Sequence, residues 1–311
     1  GHLARSNNKY YNSTVENSGS ISHSGVIADM LELVKIRITV LVAFTTALGY
    51  ILATDTLSFG FIYPVIGIFI LACSSAALNQ YQERKYDGLM ERTMGRPLPA
   101  GRMSAGNALL ISAALFVTGS LALYSGANLT TLVIGYATYV SYNFIYTPLK
   151  RKFALAIIPG SLVGALPPVA GWAAAGGSLT DEKIILVAAY FFMWQIPHFW
   201  LLLMKYGKQY EGAGFPSLTE KFSREKIARM VFYTTLLTIV PVGVYVFSGL
   251  LNYTIAGAVL LTASVVLAIS SYKFTKSELS NKNITNSFIG INVYTLIFIT
   301  LLSLDKLINL I

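Results

Sequence analysis

Blocks of apolar residues, each long enough to cross a lipid bilayer, recur from about position 36 to position 304. Such a segment needs about 20 mostly apolar residues, and it must be helical because hydrocarbon offers its backbone N–H and C=O groups no other partners. Candidate spans lie near residues 36–53, 59–82, 104–125, 129–147, 153–175, 182–204, 227–248, 253–273 and 286–304. Composition agrees: 54% of residues are hydrophobic, 12% are charged and the mean hydropathy is +0.60, whereas a soluble domain carries roughly 25% charged residues. The expected fold is therefore all-α, a polytopic membrane protein of about nine transmembrane helices around a central cavity.

Charge gives the orientation. With the N-terminus on the cytoplasmic side, all but Lys183 and Lys306 of the 23 Lys and Arg fall in the N-terminal segment or in alternate loops, as the positive-inside rule requires. The net charge of +9 then belongs to one face, which suits anionic lipid headgroups and anionic substrates and needs no nucleic acid. Residues 1–28, rich in Ser and Asn, read as a flexible polar tail, and residues 29–311 as a single membrane-embedded domain. The lone Cys73 rules out an intrachain disulfide.

Asn79, Glu83 and Asp87 follow one another at intervals of four at the end of the second span, so on a continuing helix they share one face. Three oxygen donors in a stripe suit Mg²⁺, which takes one or two carboxylates together with substrate phosphates. Arg92, Arg96 and Arg102 come next, in a loop broken by Pro97 and Pro99. Carboxylates beside arginines are what a metal-bridged diphosphate needs. An ordinary solvated charge cluster at a helix end fits the same residues.

Farther along, Lys150 and Arg151 stand where the fourth span ends, and either hold diphosphate oxygens or anchor the helix end. Tyr142 and Tyr146, one turn apart, offer ring faces to a cation or simply pack. Pro159, Pro167 and Pro168 should interrupt the fifth span and mark an internal cavity. His198, the only histidine in a span, is either a satisfied core residue or a ligand.

Taken together, the run Asn79 to Pro97 resembles the first motif of the UbiA superfamily of membrane prenyltransferases, in its haem-farnesylating form. The segments Tyr142–Arg151, Gly164–Trp172 and Trp194–Trp200 resemble that family's later motifs, in the same order. The size of the chain points to a bacterial inner membrane rather than a mitochondrial one. The resemblance implies transfer of farnesyl from farnesyl diphosphate to a vinyl group of haem B, a substrate here. It implies Mg²⁺ on Asn79, Glu83 and Asp87, with Asp87, Tyr142, Tyr146 and His198 catalytic. It further implies substrate binding by Arg92, Arg96, Lys150, Arg151, Trp194, Gln195, Lys205 and Lys208, and a haem A synthase or oxidase assembly factor as partner. One departure stands out: Gln209 occupies a position where the family pattern has Asp, so Lys205 and Lys208 are left to neutralise the diphosphate there. Two alternatives remain at this point, a prenyltransferase for an aromatic quinone precursor and a cation-coupled transporter.

Overall fold

The computed structural model describes residues 25–56 and 58–310; of the polar tail expected over 1–28, residues 1–24 lie outside them. Among the described residues the chain is helical, with no strand. In chain order come α1 (Val26–Leu33), α2 (Ile36–Ala53), α3 (Ile62–Asp87), α4 (Ala105–Gly126), α5 (Leu129–Val140), α6 (Leu162–Ala174), α7 (Glu182–Gly212), α8 (Arg224–Phe247), α9 (Thr254–Lys276) and α10 (Asn281–Leu310). Side-chain caps begin several of them: Ser104 accepts from the Asn107 N–H, Asn128 from Thr131, Asp181 from Lys183 and Ser223 from Lys226, each satisfying a donor that a helix start leaves open.

Among the described residues, eight helices are long and apolar enough to span a membrane. They are α2, α3, α4, α6 with the short turn before it, and α7 to α10. The expected span at 129–147 differs from the rest. Its regular α part, α5, has 12 residues, a rise of about 18 Å against a hydrocarbon core of about 30 Å. A π-helix, Ser141–Tyr146, and a last turn, Thr147–Leu149, carry it onward.

The fifth span also departs from expectation. It breaks at Ser161, after Pro159, but Pro167 and Pro168 lie inside α6 without interrupting it. Their missing N–H groups leave the carbonyls of Val163 and Gly164 without helix donors, and both of those residues line an internal cavity.

Small residues let α2 and α6 approach closely. A Cβ on Gly49 would fall 1.8 Å from the Pro168 carbonyl oxygen, and one on Gly171 would fall 1.8 Å from that of Thr46, so only glycine fits either place. A large apolar core, with Tyr190 against Phe298 at 3.9 Å between ring centroids, joins α7 to α10. Buried Asp305 on α10 accepts from the backbone N–H groups of Asn252 and Tyr253, both at 2.8 Å, and so caps the entry to α9. On the outside, Leu110, Leu121 and Ile255 are exposed, as a lipid-facing surface requires.

Candidate active site

The last three turns of α3 carry Asn79, Glu83 and Asp87 on one buried face. Each is matched by a cation from another part of the chain. Lys35 donates to Asn79 Oδ1 at 2.6 Å, Lys150 Nζ lies 2.7 Å from Glu83 Oε1, and Arg96 donates to Asp87 Oδ2 at 2.8 Å. Asn79 in turn donates to Thr147 Oγ1 at 2.9 Å, which ties α3 to the end of the π-helix. Burial opposes the charge on Lys150, and the Glu83 carboxylate overrides it, so the ammonium is held above its ordinary range.

In the sequence Lys35 is only one of the basic residues of the N-terminal segment. It is the one non-glycine residue with positive φ among the described residues, φ 51°, at the sharp junction of α1 and α2. Left-handed backbone at such a residue is strained, and here it aims the side chain at Asn79 and, at 3.2 Å, at the Tyr142 hydroxyl. Nothing in its local sequence signals this role, because its partners lie 44 and 107 residues away.

Beside the polar stripe opens a cavity of about 200 Å³. Lys35, Tyr142 and Tyr146 belong to both. The remaining walls are mostly apolar, with Ile68, Leu71, Ile157 and Phe199 among them. In the π-helix the chain makes a wider turn, and Tyr142 and Tyr146 stack at 5.9 Å with 19° between their planes. Lys150 lies 5.5 Å from the Tyr146 ring centre, within cation–π range. Gln195 also lines the cavity, and its amide fills the space that a side chain at Gly164 would need.

The other residues singled out in the sequence distribute around this centre. Arg92 donates through its backbone N–H to Gln209 at 3.1 Å and through its guanidinium to the Tyr210 hydroxyl at 2.8 Å, linking the α3–α4 loop to α7. Arg102 pairs with Asp29 of α1 at 2.8 Å. Arg151 donates to the Gln82 carbonyl at 2.7 Å beneath the Tyr86 ring. Lys205 reaches Thr285 of α10 at 3.0 Å, and Lys208 is exposed. His198 lies between Trp194 and Phe288, with ring centroids 4.6 Å away on each side. Trp194 Nε1 and His198 Nδ1 are buried and have no hydrogen-bond partner among the described residues.

Donor chemistry at the stripe suits a hard divalent cation. All three side chains offer oxygen, and Glu83 Oε1, although close to Lys150, lacks hydrogen-bond geometry and remains a buried acceptor open to a further partner. A carboxylate stripe, cations within reach of it and an adjoining apolar chamber together can hold a diphosphate head and a hydrocarbon tail.

A family model described as the UbiA prenyltransferase family matches residues 42–292. A protoheme IX farnesyltransferase of Solibacter usitatus is 42% identical over 201 residues, covering 61% of this chain and 68% of that protein. One from Christiangramia forsetii is 34% identical over 292 residues, covering 92% of this chain and 96% of that protein. Solved structures share the fold at low identity. A structure of digeranylgeranylglyceryl phosphate synthase gives a TM-score of 0.72 at 13% identity, covering 90% of this chain and 98% of that one. A UbiA homolog from Archaeoglobus fulgidus bound to GPP and Mg²⁺ gives 0.64 at 14% identity, covering 88% and 99%. With the family model running from α2 into α10 and relatives of this identity spanning nearly the whole sequence, the chain belongs to the UbiA prenyltransferase family.

Proposed function

We propose that this protein transfers the farnesyl group of farnesyl diphosphate to a vinyl group of haem B, producing haem O. The observation that carries the reading is the junction of the oxygen stripe on α3 with the apolar cavity, through Lys35, Tyr142 and Tyr146. The acceptor and the prenyl length follow from the relatives, which bear the name protoheme IX farnesyltransferase.

Asn79, Glu83 and Asp87 are the residues that would hold Mg²⁺, an ion that a UbiA homolog from Archaeoglobus fulgidus binds together with GPP. When bound, the ion neutralises charge on the leaving diphosphate. Lys35, Arg96 and Lys150 place fixed positive charge around the same group, where charge develops as the C–O bond breaks. Glu83 beside it favours the ammonium form of Lys150. Faces of Tyr142 and Tyr146 stabilise the allylic cation, and Phe199 with the apolar walls keeps water from it. The haem vinyl group then attacks the farnesyl C1, and water adds to the resulting cation with loss of a proton, which gives a hydroxyethylfarnesyl side chain. Gln195, at the cavity wall, and Trp194 with His198, behind it on α7, are assigned to orienting the acceptor.

The domain proposed runs from 29 to 311, with the basic loops and the N-terminus in the cytoplasm of a bacterial cell and a haem A synthase or oxidase assembly factor downstream. A quinone-precursor substrate is not favoured, because the second acidic motif expected of such an enzyme is missing from the sequence and the segment Trp194-Gln195-Ile196-Pro197-His198-Phe199 is present. The test is an assay of detergent-purified protein with haem B, farnesyl diphosphate and Mg²⁺, with haem products followed by chromatography and mass, alongside Asp87→Asn. Haem O from the parent and none from the variant is the expected result. Unmodified haem with prenylation of an aromatic acceptor would overturn the substrate, and no consumption of farnesyl diphosphate by folded protein would overturn the reaction.

A further inference from the structure

Helices α7 to α10 enclose a second cavity, of about 350 Å³. Leu201 of α7 lines it, while Gln195 and Phe199 of the same helix line the first cavity; at about 100° per residue, the two chambers lie on different sides of α7. The lining of the second cavity is graded. Leu267 and Ile291 lie farthest from the α9–α10 connection, Ser271 and Ser287 come next, then Lys273, Phe274 and Asn286, and Ser277 and Asn283 stand nearest to it.

Four of these groups have unused hydrogen-bonding capacity. Ser271 is 8% exposed, and its hydroxyl makes no hydrogen bond to the described protein; the same holds for Ser287, Asn286 and Lys273. Lys273 and Asn286 are exposed and Ser287 is half-buried, so these donors are within reach of an occupant that enters from outside. No acidic residue lines the cavity, so the charge it offers is positive. A single ammonium with hydroxyl and amide donors matches a singly charged phosphate, and the apolar far end matches a hydrocarbon chain. This gradient runs in the same sense as that of a bilayer leaflet, polar at the helix ends and apolar toward their middles.

We propose that the cavity is a binding site for an anionic phospholipid, with the phosphodiester against Lys273, Ser271, Ser287 and Asn286 and one acyl chain directed toward Leu267 and Ile291. The site is separate from the prenyl-transfer centre and does not depend on the identity of that reaction. Gly290 gives direct access to it, because a Cβ there would meet nothing within 4 Å, so a larger residue fills the cavity instead of colliding with the protein.

The experiment is native mass spectrometry of the full chain in detergent, after exchange with phosphatidylglycerol or phosphatidylcholine, comparing the parent with Lys273→Gln and Gly290→Leu. Gel filtration confirms that each variant is folded, and Ser287→Leu replaces Gly290→Leu if the latter does not fold. The parent should retain phosphatidylglycerol, Lys273→Gln should retain about fivefold less, and Gly290→Leu should retain almost none. Equal retention by all three proteins would overturn the site. Retention of phosphatidylcholine as strong as that of phosphatidylglycerol would overturn the anionic preference, and displacement of the lipid by millimolar inorganic phosphate would overturn the role of the acyl chain.

Discussion

Helices α3 and α7 are both longer than a bilayer is thick, at 26 and 31 residues, yet their polar ends are built in opposite ways. The end of α3 carries three buried oxygen donors, each with a cation from another segment. The end of α7 carries Lys205, Lys208, Gln209 and Tyr210, of which Gln209 and Tyr210 accept hydrogen bonds from Arg92. Its one nearby carboxylate, Glu211, is bonded instead to the Thr219 hydroxyl. The difference points to a division of labour, in which α3 anchors metal and charge and α7 holds the α3–α4 loop over the site.

The sharpest test of that division is Glu83→Gln, which removes an anchor and leaves Lys150 without its counter-charge. Turnover of farnesyl diphosphate should fall about 10²–10³-fold, the cost of losing one electrostatic element of a preorganised site, in a steady-state assay at saturating Mg²⁺. Lys150→Met tests the same pair through stability. Breaking a buried ion pair costs about 3–5 kcal/mol, and because Lys150 keeps 20% of its side chain exposed about 2 kcal/mol is expected in denaturant unfolding. The sign with pH is also set. A lysine raised in the folded protein contributes fully below its unfolded value of about 10.4 and loses that contribution only as pH rises through its raised folded value, so the Lys150 contribution should disappear only in strong alkali. Lys35→Met should weaken binding of the prenyl diphosphate about tenfold by calorimetry, the weight of one hydrogen bond to a charged group. Smallest is Gln209→Asp: activity should change by no more than about threefold, as for an exposed ion pair with Arg92. If that variant gained a second Mg²⁺, the asymmetry between the two helix ends would reduce to one residue.

Much of this architecture was legible in the sequence, because bilayer thickness and helix period act locally. The apolar blocks fell close to α2, α4, α8 and α9, and the interval of four placed Asn79, Glu83 and Asp87 on a single face of α3. What escaped depends on packing between distant segments. Lys35 meets Asn79 only because α1 turns sharply into α2, and Lys150 and Arg151, adjacent in sequence, take different partners, Glu83 and the Gln82 carbonyl, because successive side chains leave a helix end in different directions. Pro167 and Pro168 misled in the opposite direction. Proline removes a donor, but the carbonyls it frees can turn to a cavity wall without breaking the helix.

The π-helix at Ser141–Tyr146 amounts to one residue inserted into an otherwise regular spiral, and it acts as a phase setter. Through it the Thr147 N–H reaches back five residues to the Tyr142 carbonyl, and everything downstream is advanced by about 100°. That rotation brings Thr147 to Asn79 and Lys150 to Glu83. Deleting a single residue from 141–146 would shift that phase and swing both groups off the stripe, so the reading frame of this short segment is as binding a constraint on the site as the identity of the side chains within it.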